Sequence, residues 1–505
     1  MMKWMSRILC AILATAMLLS FVGCGGETPD NEESKDDVQQ TEGSGASDVE
    51  DETTAETADP ATVFGLPDDL DYEGKEFVML LRSNKARAGA QDEFEVVLGE
   101  KSDVVDKAVF ARQETIQTEL NMKFRYIFMD SEDALLETYR NTAGMGEFHV
   151  AGTHAAQMSA LMAEGLGYNW LEVPHVDTSK VWWYSRSGMA ESLTINGRLY
   201  MITGDASELA QGKAMAMFVN KPMLEVHANM EIEELYDVVA AGEWTIDYLL
   251  ELTKNMSDPG GNGVFDEEDI YGINFYLATI CDNYFAAFDI PIVKCENNYY
   301  SISLYNTTMI NAVEKLHAMC YENNRTYLTA DKGTSAAFFK NGHAVFTHGG
   351  FEWADQKFSD MASDYGIIPY PKLSEDQAKY GAALSDVYTA FILPYNSNQL
   401  EFTGAVMEKL GYTSYTITTP AYYDTLLKGR STRDAKSREM LDLIHDSITF
   451  DMGLVYSAAL GHPVHAFRKM LATSEAGNLS SYWNGNGAKF NEKLQDLLAT
   501  FGQEN

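Results

Sequence analysis

Blocks of apolar and polar residues change in length and period along this chain, and the changes mark its parts. An apolar run over 8–19 follows Lys3 and Arg7 and leads into small residues. That is the charge, apolar, small layout of a secretory signal, and its core is short against the ~20 residues of a membrane span. From 25 to about 61 the chain is Glu, Asp, Ser, Thr and Gly with almost no apolar content. Such a segment cannot bury enough surface to offset its ordering entropy, and a disordered tether is expected. A chain of about 40 flexible residues has an r.m.s. span of ~35 Å. A folding pattern begins near 69. The runs at 75–81, 124–128 and 147–152 are short and apolar, as buried strands are. They alternate with 103–120, 131–142 and 155–163, which read as helices, the first with Val104, Val105, Val109, Ile116 and Leu120 at helical spacing. Strands alternating with helices predict a parallel α/β sheet, with ligand-facing groups at the strands' carboxyl ends. The loops that begin at Arg82 and Thr153 belong to that edge.

The stretch from Asn196 to Lys221 divides the folded part. The turn signal Asn196-Gly197 opens the apolar run Leu199-Tyr200-Met201-Ile202, which stops at Gly204-Asp205. A second run over 214–219 ends at Asn220-Lys221-Pro222 and leads into a helical pattern. Large folded regions lie on both sides, so the stretch reads as a strand that leaves one lobe and enters another. Beyond it, 232–241, 245–256 and 311–321 read as helices, 365–369 and 390–394 as strands, and the C-terminal part as mostly helical. The run 338–350 holds a Gly turn and then a strand, read as a second crossing. The expected division is 1–23 signal peptide, 24–68 tether, 69–200 with about 345–400 as the first lobe, and 205–340 with about 401–505 as the second.

Composition narrows the partners. A chain of 505 residues allows two or three domains with ample core. Its net charge of −38 is offset by no basic block, which excludes nucleic acid and anionic membrane surfaces as partners of the folded part. Of its cysteines, Cys10 and Cys24 lie in or just after the signal, leaving Cys281, Cys295 and Cys320. No Cys-x-x-Cys or Cys/His metal spacing occurs among them. At most one internal disulfide can form, with Cys281–Cys295 the nearest pair, and free buried thiols are the alternative.

Phe21-Val22-Gly23-Cys24 resembles a bacterial lipobox, with Phe in place of the usual Leu. The resemblance implies that Cys24 carries acyl chains, becomes the mature N-terminus, and anchors the protein to the extracellular face of the cell membrane; an ordinary secretory signal cut nearby is the alternative. Each buried CH₂ contributes about 0.8 kcal/mol, so two or more chains anchor durably. Further motifs run through the folded part: Asn196-Gly197-Arg198-Leu199-Tyr200 leading to Thr203-Gly204-Asp205, then Val219-Asn220-Lys221, then Gly342-His343-Ala344-Val345-Phe346 with Gly350-Phe351-Glu352-Trp353. Their order and spacing resemble the bacterial extracellular solute-binding proteins of ABC importers, specifically family 1, the maltose-binding-like group. The late stretch Thr419-Pro420-Ala421-Tyr422-Tyr423-Asp424 resembles a clostridial-type subgroup. The resemblance covers the chain from about 69 onward. It implies a type II periplasmic-binding-protein-like fold, two α/β lobes on a hinge, closing on a carbohydrate, most simply an oligosaccharide. The implied partners are that sugar, ABC permease subunits and the membrane through the lipid, with the protein a monomer.

In that family a Gly-x-aromatic stretch after the second crossing supplies a ring that stacks on a sugar. Here it falls on Phe351, a departure from Trp, with Trp353 two residues on. A sugar offers a flat C–H face to a ring and hydroxyls to carboxylates and amides, so that residue mix suits the site; core packing is the alternative for both rings. Trp183, beside Trp182, is a further candidate, as are Asp205, Asp386 and Tyr388 where crossing or edge segments meet the cleft. Thr153 and His154 follow a strand end. In the loop 258–269, Asp258, Asn262, Val264, Asp266 and Asp269 stand at the spacing of a calcium loop, with Gly263 at its sixth position. Gly260 removes one usual ligand, and an acidic turn is the alternative; any calcium there would be structural, and no cofactor is required. His-Glu-x-x-His, Gly-x-Ser-x-Gly and a phosphate-cradling Gly loop are all missing, so no enzyme is expected. A same-fold lipoprotein acting as ligand sensor or adhesion module is the main alternative to import, with a secreted hydrolase behind it.

Overall fold

The computed structural model describes residues 59–385, 387–428, 435–475 and 477–502. The expected signal peptide, Cys24, Asp386 and the tether up to 58 lie outside the described residues. In chain order the first part forms β1 (Lys75–Arg82), α1 (Val104–Glu119), β2 (Met122–Met129), α2 (Glu132–Thr142), β3 (Val150–His154) and α3 (Ala155–Ala163). Asp103 opens α1 through a capping box with Asp106, and Ser131 opens α2 by accepting from the Ala134 N–H. There follow β4 (Met215–Asn220), α4 (Ile232–Ala240), β5 (Tyr271–Phe275), the hairpin β6 (Val293–Glu296) and β7 (Tyr299–Ile302), α5 (Thr307–Tyr321), β8 (Thr326–Leu328), β9 (Ala344–Gly350) and β10 (Tyr365–Ile368). The chain ends in β11 (Thr389–Ile392), α6 (Leu400–Thr413), α7 (Thr419–Lys428), α8 (Ala435–Asp446) and α9 (Leu479–Thr500).

Two sheets organise these elements. One has the order β11-β3-β1-β2, the other β10-β4-β9-β5-β8. In the first, β1 runs parallel to β2 and β3, and β11 closes the edge antiparallel. In the second, β5 is parallel to β8 and β9, while β4 is antiparallel to β9 and β10. Each sheet with its helices is one α/β lobe.

Two segments cross between the lobes side by side. Ile202 bridges Phe391 of the first sheet, and Ala214 bridges Leu384, both antiparallel. Between them Ser385 N donates to Lys213 O at 2.9 Å and Met215 N to Ala383 O at 3.2 Å. The first crossing is therefore 203–214, inside the stretch 196–221 that the sequence singled out but later than the expected crossing run at 199–204, in which only Ile202 forms a bridge. The second crossing is displaced. It falls at 382–388, not at 338–350, because β9 is the central strand of the second sheet and all its residues are buried. A strand covered on both faces belongs inside a sheet.

The lobe boundaries shift with it. Residues 344–368 belong to the second lobe rather than the first. The segment after 400 is shared instead of lying wholly in the second: α6 and α7 pack on α1, α8 packs on β10 and α4, and α9 lies against β7 and α3. Helical periodicity fixes which face of a helix is apolar, not which sheet it meets. The end of the expected tether also folds. Asp59 pairs with Arg186 at 2.8 Å, and the Phe64 ring stacks on Tyr412 at 4.1 Å. Among the described residues no helix is long and apolar enough to cross a membrane. Cys281 and Cys320 are buried free thiols, and Cys295 is an exposed one.

Candidate ligand-binding site

The carboxyl ends of β3 and β5 face the paired crossing segments. A cavity of about 190 Å³ opens there, reached by Ala156 from the first lobe and by Thr279, Asp282 and Asn283 from the loop after β5. Met215, the first residue of β4, and Ala383, Leu384 and Ser385 of the second crossing line its floor, and Ser457, His462, His465 and Arg468 its far wall. Asp282 is buried, and Arg468 grips it in a two-point ion pair with Nε 2.7 Å from Oδ1. Asn283 Oδ1 accepts from the Ala383 N–H at 2.6 Å, tying the second crossing to the second lobe. Its Nδ2, though buried, has no partner among the described residues, and the same holds for Ser457 Oγ. A buried donor left unpaired costs about 1–3 kcal/mol, so two such groups on one cavity mark where a hydrogen-bonding guest belongs. The rings of His462 and His465 stack at 4.8 Å, and burial, then the Arg468 charge, pushes His465 down to about 4. It is therefore a neutral donor and acceptor at neutral pH.

No family model matches the sequence, and no curated relative does either. Solved structures do match. A cyclo/maltodextrin-binding protein complexed with maltotetraose is 12% identical, with 84% of this chain and 96% of that one covered at a TM-score of 0.52. An ABC transporter solute-binding protein from Thermotoga lettingae, bound with α-D-tagatose, is 10% identical, with 83% and 100% covered at a TM-score of 0.51. The fold is that of the two-lobed periplasmic binding proteins.

Within this binding-protein fold, the residues singled out from sequence scatter. Thr153 is buried and donates to Glu132 Oε2 at 2.5 Å, while the half-buried His154 ends β3 just ahead of Ala156 at the cavity. Trp183 is core, its indole donating to Glu408 Oε2 at 2.7 Å beside Trp182, which donates to Oε1 at 3.2 Å. Phe351 and Trp353 are core as well, with Trp353 stacked on Phe218 at 6.4 Å. The glycines before them let the Trp353 ring lie directly on the backbone: a Cβ at Gly349 would stand 2.5 Å from it. Tyr388 is buried at the end of the second crossing, and Asp205 lines a different cavity. Asp282, Asn283, Ser457 and Arg468 escaped the sequence reading because no local pattern joins them.

Next to Phe351, Glu352 receives Lys213 from the first crossing at 3.1 Å and Lys332 at 3.0 Å. Burial alone would raise the Glu352 carboxyl, but the two ammonium groups more than offset it and hold it below its usual range. Burial lowers Lys213 against the pull of Glu352. The loop 258–269 turns its oxygens on itself. Asp258, Asn262 and Asp266 each accept from the N–H two residues on, at 2.9, 2.7 and 2.9 Å, and Asp269 Oδ2 accepts from Asp266 N at 2.7 Å. Val264 supplies the N–H in the second of these bonds, and its side chain is exposed. Among the described residues no group of three or more His, Cys, Asp or Glu is arranged to hold a metal ion.

Proposed function

We propose that this protein captures a carbohydrate between its lobes and, held outside the cell by lipid on Cys24, hands it to an ABC importer, without needing a cofactor. The unpaired Asn283 Nδ2 and Ser457 Oγ, on a cavity floored by the second crossing and the start of β4 and reached by Ala156 of the first lobe, carry the reading. Hydroxyl groups both donate and accept, which suits the mixture of amide, hydroxyl, imidazole and ion pair around it. Met215, Leu384, Leu454 and Val464 supply the apolar remainder. The carbohydrates named for the fold's solved neighbours agree with this choice of ligand class. A ligand there touches both lobes, and only a ligand with contacts to both can stabilise the closed form.

A thermal-shift screen of malto-oligosaccharides and monosaccharides tests it. A cognate sugar at 100 times its Kd adds about 2.7 kcal/mol of stability. Binding should contract the particle in small-angle scattering and weaken on Asn283→Ala, which removes the unpaired donor. A sugar that binds without contraction, or that is consumed, would overturn the reading.

A further inference from the structure

A second cavity, of about 210 Å³, shares no residue with the first. Tyr184, Asp205, Tyr415 and Tyr423 line it from the first crossing and the elements packed on the first lobe, and His445 of α8 lines it from the second. Three buried polar atoms on it have no partner among the described residues: Tyr184 Oη, Tyr423 Oη and His445 Nε2. Tyr184 as a whole is only 3% exposed. Asp205 gives Oδ1 to the Thr419 hydroxyl at 3.0 Å and to Gln211 Nε2 at 3.4 Å, and no described donor reaches its Oδ2.

All four atoms can accept a hydrogen bond. His445 Nδ1 lies 3.7 Å from Asp446 Oδ1, and the tautomer with its proton on that side carries the lone pair on Nε2. The charge around the cavity has the same sense. Asp205, Asp442 and Asp446 border it, and the one Lys or Arg among its described lining residues is Arg186, whose guanidinium is paired with Asp59 at 2.8 Å. Tyrosine and histidine rings add electron-rich faces. Unpaired groups that can all accept, excess carboxylate and ring faces together describe a host for a positively charged N–H donor.

We propose that this cavity binds the ammonium group of a small organic amine. Asp205 and the Tyr184 and Tyr423 hydroxyls accept its N–H bonds, and the rings close around its carbon chain. Burial pushes Asp205 up to about 7, against a partial opposing pull from His445, and an ammonium beside it would restore the carboxylate. The guest would touch both lobes, so the site is placed to bias the hinge independently of what the first cavity holds.

Calorimetric titration of the full chain with 1,4-diaminobutane, and with 1,4-butanediol as its uncharged counterpart, tests this. The diamine should bind saturably with a Kd below about 1 mM, and the diol should not. Tyr184→Phe deletes only an unbonded hydroxyl, keeps the packing, and should weaken the diamine about tenfold. Asp205→Asn should weaken it further, and a matching melting curve will show that this variant is folded. Arg468→Ala, at the other cavity, should leave the diamine unaffected. Absence of diamine binding would mean that the cavity holds water alone. That result, equal binding of the diol, or diamine binding indifferent to Tyr184→Phe, overturns the proposal.

Discussion

Gly204 passes so close to Trp182 that a Cβ on the glycine would lie 2.0 Å from the Trp182 carbonyl oxygen. The same oxygen accepts the Asp205 N–H at 2.9 Å. The first crossing is thus laid directly on the backbone of the first lobe, with no side chain between. Gly204→Ala has no flexible group to displace and should destabilise the protein by about 1–3 kcal/mol, the usual range for overpacking. Urea unfolding measures it; a midpoint like that of the parent would mean the crossing is not held against Trp182.

Glu408 accepts both the Trp182 and Trp183 indole N–H groups and is itself buried. Glu408→Ala would strand two buried donors, at about 1–3 kcal/mol each. Glu408→Gln keeps one acceptor oxygen and should lose less. Denaturation followed by tryptophan fluorescence compares the two, and equal losses would refute the pairing.

Buried carboxyls give the protein a particular pH response. Burial raises Asp205 and Glu408 to about 7 and Asp451 to about 6, despite hydrogen bonds that oppose the rise. A raised carboxyl holds its proton more tightly folded than unfolded. Its contribution is therefore complete below about pH 4 and is lost as pH climbs through 6 to 7, at about 1.4 kcal/mol per pKa unit. Asp205→Asn removes one such loss, so the variant should gain on the parent from pH 5 to pH 8 and level off above that. Paired unfolding curves at pH 5 and pH 8 read the difference, and a constant offset would contradict the assignment to Asp205.

The Cys24 proposal is tested in cells. Cys24→Ala should release the protein to the medium or leave an unprocessed precursor. Correctly processed variant that stays on the membrane would exclude the lipid as its anchor.

The loop 258–269 holds its own backbone through Asp258, Asn262, Asp266 and Asp269. Chelator should accordingly leave the melting temperature unchanged. A drop that calcium reverses, and that Asp258→Ala abolishes, would instead make the loop a structural calcium site.

The sequence by itself determined the local elements and the class of fold. The helices over 103–120 and 131–142 were readable from local apolar spacing, and the caps at Asp103 and Ser131 that start them are local hydrogen bonds between residues three apart. Strands β1 and β3 were readable because burial on both faces leaves continuous apolar runs, and the stretch that holds the first crossing because turn signals flank it. Only the tertiary structure decided which strand sits in which sheet. β9 looks from its sequence like an extended segment after a turn, and its place between β4 and β5 depends on partners from other parts of the chain. The site was hidden for the same reason. Asn283 meets Ala383 across 100 residues, and Asp282 meets Arg468 across 186. The aromatic residues that stood out, Trp183, Phe351 and Trp353, carry so much apolar surface that the core takes them. Polarity marks a residue that needs a partner, but only the packing of both lobes against the crossings leaves Asn283 Nδ2 and Ser457 Oγ without one among the described residues.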